Sequence, residues 1–350
     1  MVALGILIPS VQVRALAGQL VIMINSPRIN FTVAAVHEAA LLVQQIQHEL
    51  VSPALTKEDR SPVTVADFAA QAVIAKRLAD QFPEEVLIGE ESAAALQTES
   101  GRTLLPAVTR FVQRCFPEAT DALVLEWIDR GTGDPPQSFW TLDPVDGTKG
   151  FLRGDQYAVA LARIDTGRVE VGAVGCPELD IIHTDEHRGR GTVAVAEVGQ
   201  GAFYTTLDQQ RAWQRLSVSD RTSPVDARLL RSVESAHTNS GAIGELIAVL
   251  GIGAPPVPMD SQAKYAVLAA GEGDVLLRLL SSSRPDYREM IWDQAAGSII
   301  VEEAGGRVTD LDGKPLDFAH GRTLATNRGV LATNKKLHDA ILQGLGQIGA

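Results

Sequence analysis

Two aspartates, Asp143 and Asp146, stand on either side of Pro144 and Val145 in the run WTLDPVDGTKGFLRG, Trp140 to Gly154. Carboxylates aimed at one point repel each other unless a cation lies between them. Pro144 fixes the turn between the two acids, and Gly147 lets the backbone bend closely around a ligand. Three further acids sit at the edges of apolar segments: Asp67 in SPVTVAD, Glu90 in GEES and Asp293 in WDQAAG. Hard divalent cations such as Mg²⁺ favour oxygen ligands and recruit one or two carboxylates each, plus substrate phosphate oxygens. Each acid alone has a bland explanation. Asp67 suits a solvated helix, Glu90 a loop and Asp293 a helix start, while D-P-x-D-G also makes an ordinary turn. Together, and in this order, they point to a shared acidic centre.

The elements that must carry these residues follow from periodicity. FTVAAVHEAALLVQQIQHEL from Phe31 and VADFAAQAVIAKRLADQF after Ser61-Pro62 place apolar residues at helical intervals, so two long helices open the fold. EEVLIGEES is a short strand running into acid, and SFWTLDPVDG is a strand ending at the aspartates. YAVALARID, RVEVGAVGCPEL, DIIHTDE, GTVAVAEVG and GAFYTT are β-prone with turns between them, which predicts an antiparallel sheet. After the Ser-, Asp- and Pro-rich LSVSDRTSPVDA, strands and helices alternate: RLLRSVES, GAIGELIAVLG, PPVPMD, SQAKYAVLAAG, GDVLLRLL, WDQAAGSIIVEEAG and KKLHDAILQGL. The expected organisation is an extension over 1–28, poorly ordered, then an α+β metal-binding domain over 29–220 and an α/β substrate-recognition domain over 221–350. Residues 93–137, punctuated by Gly and Pro, read as a variable insertion with its own helices.

Composition narrows the partners. With 350 residues, 45% hydrophobic, the chain can bury a large core and fill two packed domains. A net charge of −12 without any Lys/Arg run argues against nucleic acid and suits bound cations instead. The two cysteines, Cys115 and Cys176, lack metal-ligand spacing and a disulfide framework, so a reducing cytoplasm is expected. The apolar start, MVALGILIPSVQVRALAGQLVIMIN, is interrupted by Gln12 and Arg14 and has no basic lead or small-residue cleavage site. Neither a signal peptide nor a membrane span is expected there, and Met23 offers an alternative start.

The motifs SPVTVADFAAQ, GEES, LDPVDGTKGFLRGDQYAVALA, VESAH, MDSQAKYAVLAAGEGDVLLRL and IWDQAAGSIIVEEAGG together resemble the 3′(2′),5′-bisphosphate nucleotidases. These belong to the lithium-sensitive, magnesium-dependent phosphatases that include inositol monophosphatase and fructose-1,6-bisphosphatase. The resemblance covers about residues 31 to 345 and is weakest over Ala93 to Gln137. The extended DGTKGFLRG, as against a bare D-G-T, favours the nucleotidase branch, and Val145 replaces the family's common Ile.

What the resemblance implies is specific. The fold would be the layered sugar-phosphatase fold. Glu90, Asp143 and the Val145 carbonyl would hold one Mg²⁺, and Asp143, Asp146 and Asp293 a second. Asp67 and Thr148 would position and deprotonate the attacking water, with Asp67 beside a third, looser ion. The amides of Gly147 and Thr148 would receive the scissile phosphate. His237, Ser261, Lys264 and Arg278 match positions that contact the nucleotide or its non-reacting 5′-phosphate. Lys264 and Arg278 can offset phosphate charge, while Ser261 and His237 offer directional hydrogen bonds.

The implied reaction is Mg²⁺-dependent removal of the 3′-phosphate of adenosine 3′,5′-bisphosphate, with 3′-phosphoadenylyl sulfate as a second candidate and Li⁺ as an inhibitor. Two alternatives stay open: an inositol phosphate phosphatase sharing the metal motifs, and a catalytically silent nucleotide-binding regulator. The partner is a small molecule, and the protein a monomer or weak homo-oligomer.

Overall fold

A computed structural model describes residues 26–51, 61–181, 191–208, 213–233, 239–280, 284 and 286–350. The 1–28 extension therefore lies outside the described residues up to residue 25, as does the strand expected over DIIHTDE from residue 182 on.

The two opening helices are α1, Pro27–Leu50, and α2, Ser61–Gln81. Pro27 sits in the first turn of α1, where its missing N–H costs nothing, and Ser26 caps it by accepting from the Ile29 N–H at 3.5 Å. Strand β1, Leu87–Gly89, follows, then three helices, α3 Glu99–Arg102, α4 Leu105–Val112 and α5 Asp121–Asp129. Next come β2, Ser138–Asp146, and the short helix α6, Thr148–Arg153. Strands β3 Ala158–Asp165, β4 Arg168–Cys176, β5 Thr192–Glu197, β6 Gly201–Thr206 and β7 Gln214–Arg215 complete a seven-stranded sheet in sequential order.

That sheet is antiparallel from β2 onward, but β1 pairs with β2 in parallel. The reason lies in the connection. A parallel neighbour needs a long crossover, and α3, α4 and α5 supply it. The 93–137 segment is thus the bridge between two adjacent strands, packing Val108, Phe111, Trp127 and Ile128 into the same apolar cluster as α2.

The remainder comprises β8 Leu229–Arg231, α7 Ser240–Leu250, β9 Val257–Pro258, α8 Ala263–Ala269 and β10 Val275–Arg278. These are followed by α9 Ala295–Glu303, β11 Arg307–Thr309, β12 Val330–Thr333 and α10 His338–Ile348. The second sheet runs β11-β12-β10-β8-β9, parallel across β10, β8 and β9 and antiparallel at β12.

The layers stack helix on sheet on helix on sheet on helix. Helix α1 lies on β3, β4 and β5, while α9 touches β3 to β6 on one side and β11 and β12 on the other. Gly172 of β4 makes this approach possible, since a Cβ there would stand 2.9 Å from Ala296 Cα. One apolar cluster passes from Ala160 through Ala266 and Ile300 to Leu276 and Ala332, so both sheets share the α8 and α9 layer. Beyond the second sheet, Ile243 and Leu246 of α7 and Ile341 of α10 cover Leu277 and Leu331. The segment between the sheets is pinned rather than loose. Asp274, fully buried, accepts from Ser219 Oγ, Arg221 Nε at 3.1 Å and the Arg228 N–H at 2.7 Å.

Candidate active site

Strand β2 delivers the paired aspartates, and its pairing explains their availability. Asp143 opposes Ala160 and Asp146 opposes Ala158, so one extra residue is squeezed in between and the ladder bulges. Pro144 has no N–H to give, and the bulge takes the Val145 backbone out of register with its neighbour. The register on the other side is equally informative. Gly89 opposes Leu142, and the Glu90 N–H donates to the Leu142 carbonyl at 3.2 Å, which sets Glu90 beside Asp143.

Helix α6 starts immediately after this strand end. Gly147 precedes it at φ +89°, ψ 44°, a left-handed conformation that favours glycine, and a Cβ there would lie 3.0 Å from Ser261 Cβ and 3.1 Å from the Gln156 carbonyl. The far end of α6 is tied to α1. Gln47 donates through Nε2 to the Phe151 carbonyl at 2.7 Å and accepts from the Tyr157 hydroxyl at 3.1 Å, all of it buried. Phe151 and Tyr157 meet edge to face with centroids 5.2 Å apart. They anchor the motif instead of facing the cavity.

The C-terminal half closes the site from the opposite side. Ser261 adopts φ +63°, unusual for a residue with a Cβ, and this turn presents the Gln262 N–H to Asp146 Oδ2 at 2.6 Å. Lys264, on buried α8, donates from Nζ to the carbonyls of Ser261 at 2.8 Å and Met259 at 3.1 Å. Arg278, at the end of β10, pairs with Glu289 at 2.8 Å, and Gln294 donates to the same Glu289 oxygen at 2.9 Å. Arg153, the last residue of α6, pairs with Asp155 at 2.7 Å and with the buried Asp260.

These pieces surround a cavity of about 490 Å³. Glu90, Asp143, Val145, Asp146, Gly147, Thr148, Ser261, Lys264, Arg278 and Asp293 all line it. Asp67 does not line the cavity; it lies buried on α2, close enough for its charge to act on Asp143. His237 falls outside the described residues. Lys149, which follows Thr148, lines the cavity as well.

The electrostatics are those of an acidic cluster under strain. Burial, then the charges of Glu91 and Asp146, push Glu90 up to about 7, against a hydrogen bond with Asp143. Burial and then Glu90, Asp146 and Asp293 hold the Asp143 proton well above the usual carboxylate range, and Asp293 is raised by burial and then by Asp146. Asp67 is raised by burial, Glu91 and Glu90. Asp146 is also raised by burial, but Lys264 and the Gln262 N–H oppose the shift. Burial draws Lys264 down to about 8, opposed by Asp146.

Such a set fits a hard cation in donor chemistry. The donors are oxygen only, and Asp143 Oδ1 is buried with no hydrogen-bond partner, a costly arrangement unless something positive satisfies it. Among the described residues no three Asp, Glu, His or Cys side chains are already drawn together to hold a metal ion, so the fit rests on chemistry rather than on a finished shell.

Several residues of the site lie within the quoted motifs but had no role assigned to them. Gln262 orients Asp146 and also spans to Trp292, donating to its carbonyl at 2.9 Å. Tyr265 donates to Gln294, which in turn holds Glu289 against Arg278. Only the adjacency of Gln262 and Tyr265 to Ser261 and Lys264 could have flagged them. Among the described residues no helix is long and apolar enough to cross a membrane.

Comparison with known proteins converges on one family. The sequence profile of the inositol monophosphatase family matches residues 24–350. A 3′(2′),5′-bisphosphate nucleotidase of Schizosaccharomyces pombe is 38% identical over 335 residues, covering 90% of this chain and 94% of the relative. One from Oryza sativa is 39% identical over 330 residues, 89% of this chain and 91% of its own length. Among solved structures, the IMPase of Thermotoga maritima superposes with a TM-score of 0.61 at 20% identity, over 93% of this chain and 98% of its own. CysQ of Bacteroides thetaiotaomicron gives 0.57 at 20% identity, over 88% and 97%. At such identities the structures speak for the layered fold alone. The matched family is one of metal-dependent phosphatases, generally served by Mg²⁺.

Proposed function

The chain belongs to the inositol monophosphatase family, and on that premise we propose that it is a 3′(2′),5′-bisphosphate nucleotidase, removing the 3′-phosphate of adenosine 3′,5′-bisphosphate to leave AMP and phosphate. The observation that carries this reading is the meeting of five acids with a cationic floor. Glu90, Asp143, Asp146 and Asp293 share one cavity with Lys264 and Arg278, and Asp67 lies close to them. The relatives bearing that enzyme's name, 38% and 39% identical over nearly their full lengths, support the nucleotide over an inositol phosphate.

Glu90, Asp143 and the Val145 carbonyl would hold one Mg²⁺ and Asp143, Asp146 and Asp293 another. When bound, such cations lower the pKa of water toward neutrality and offset charge on the phosphoryl group and its leaving oxygen. The chain supplies the rest. Thr148, exposed to the cavity at the start of α6, aims the attacking water, and Asp67, set back from the cavity, would draw the water's proton through the Thr148 hydroxyl. The raised proton affinity of Asp67, caused by burial and the nearby Glu91 and Glu90, suits a base. The water oxygen bonds to phosphorus as the bond to the 3′-oxygen breaks, and that oxygen takes its proton from solvent water, balanced when Asp67 returns the proton it received to solvent. Lys264 and Arg278 meet the second, unreacting phosphate, and Lys149 is placed to add a further positive charge. Residues 221–350 thereby supply Lys264 and Arg278 for recognition and lend Asp293 to an acid centre otherwise built from 29–220.

Chromatography of the product tests this directly. AMP, with its 5′-phosphate retained, is the expected nucleoside product; adenosine 3′-phosphate would reverse the orientation, and no phosphate release would remove the activity.

A further inference from the structure

Arg322 belongs to none of the motifs and lies outside the cavity wall, yet it touches both acidic arms. Its backbone runs beside the segment leading to Asp293: the Ile291 N–H donates to the Arg322 carbonyl at 3.1 Å, the Leu324 N–H to the Glu289 carbonyl at 2.9 Å, and Met290 bridges to Thr323. Its guanidinium lies over the Trp292 ring, 4.8 Å from the centroid. The same fork donates to the carbonyl of Gly89, 233 positions away, and to that of Gly133 at 3.2 Å. One planar group thus grips the residue before Asp293 and the residue before Glu90.

Glu90 is held from the other side too. Gln71, on α2 one turn beyond Asp67, accepts from the Glu91 N–H at 3.0 Å and donates to the Glu91 carbonyl at 2.7 Å. A Cβ on Gly89 would stand 2.3 Å from Gln71 Oε1, so the two are in tight contact, and the Gly89 N–H is spent on the Gly131 carbonyl at 2.9 Å. The backbone around Glu90 is therefore immobilised on both flanks, and Arg322 is the part that joins it to Asp293.

We propose that Arg322 is a positioning residue that sets the separation of Glu90 and Asp293 and so prepares the acid centre for a divalent cation. The proposal rests on the reading of that centre as a cation site. Charge alone predicts the opposite behaviour, because a guanidinium near the acids repels a divalent ion and its loss would tighten binding. A clamp also requires the planar fork, which lysine cannot reproduce.

The test is calorimetric titration of Mg²⁺ into chelator-stripped wild type, Arg322→Lys and Arg322→Met, with the melting of each stripped protein recorded. Both variants are expected to bind Mg²⁺ about tenfold or more weakly while folding like wild type, the usual effect of losing a group that orients metal ligands. If Arg322→Met binds more tightly and Arg322→Lys binds like wild type, Arg322 acts by charge alone and the clamp is overturned. Unchanged binding in both variants overturns it as well, while leaving the cation site intact. A wild type that takes up no Mg²⁺ brings down the cation-site reading and the clamp together. Should Arg322→Met fail to fold, Arg322→Lys, which keeps the charge, decides by the same measure.

Discussion

The Gln262 N–H and Asp146 Oδ2 lie 2.6 Å apart although 116 positions separate them in the chain. The bond exists because Ser261 turns the backbone into left-handed space just before α8. A carboxylate of the first sheet is thus oriented by the segment that carries Ser261 and Lys264. Acid centre and recognition segment meet at Asp146.

Asp146→Asn is therefore expected to fold normally, since the amide oxygen can still accept from Gln262, and to lose turnover by roughly a thousandfold, the equivalent of about 4 kcal/mol of transition-state stabilisation. Steady-state kinetics alongside circular dichroism checks this. Activity near wild type would remove Asp146 from the cation-binding set.

Protons and Mg²⁺ compete for the same acids. Glu90, pushed up to about 7 by burial and then Glu91 and Asp146, binds its proton more tightly folded than unfolded. A carboxylate of raised pKa gives stability that is present at low pH and lost as pH rises through about 7. The gain in melting temperature on adding Mg²⁺ should therefore grow between about pH 6 and about pH 8. A gain independent of pH would contradict the assignment of these acids to the cation.

His338 behaves in the opposite sense. It is buried between two hydroxyls, Thr309 Oγ1 at 2.9 Å from Nε2 and Thr333 Oγ1 at 2.9 Å from Nδ1. Thr309 spends its proton on the Asp310 carbonyl, and so accepts from Nε2–H; Thr333 receives the Lys335 N–H and is left to donate to Nδ1. A second ring proton has no acceptor, and burial, then Arg307, lowers the imidazole from 6.5 to about 4. Because the unfolded chain protonates first, stability falls as pH drops from 6.5 toward 4. Denaturant midpoints of wild type and His338→Gln should converge as pH falls through that window; parallel curves would rule out this origin.

Gly297→Ala should destabilise by about 1–3 kcal/mol or more, because the new methyl would overpack a filled core. Its Cβ would stand 2.3 Å from Tyr265 Cδ2 at the crossing of α8 and α9. Thermal melts measure it, and an unchanged midpoint would mean that this crossing has room to relax.

The motif acids were legible because strand pairing turns short sequence spacings into spatial ones: the bulge after Asp143 and the Gly89–Leu142 register set Asp143, Asp146 and Glu90 side by side. The helices of 93–137 were legible as such, but their job was not. Apolar spacing says nothing of what a helix connects, so the parallel β1–β2 pair and the crossover that makes it came only with the tertiary fold. Gln262 and Arg322 escaped for a related reason. Gln262 acts on Asp146 through a backbone N–H, and Arg322 grips a carbonyl 233 positions away, neither of which leaves a trace in local residue type.

The most direct test of the account compares kcat/KM for adenosine 3′,5′-bisphosphate and inositol 1-phosphate in saturating Mg²⁺. The account predicts a preference for the nucleotide of at least roughly a hundredfold, since a second phosphate gains charge-assisted contacts with Lys264 and Arg278 that a monophosphate cannot make. Equal turnover of the two, or a preference for the inositol ester, would contradict it.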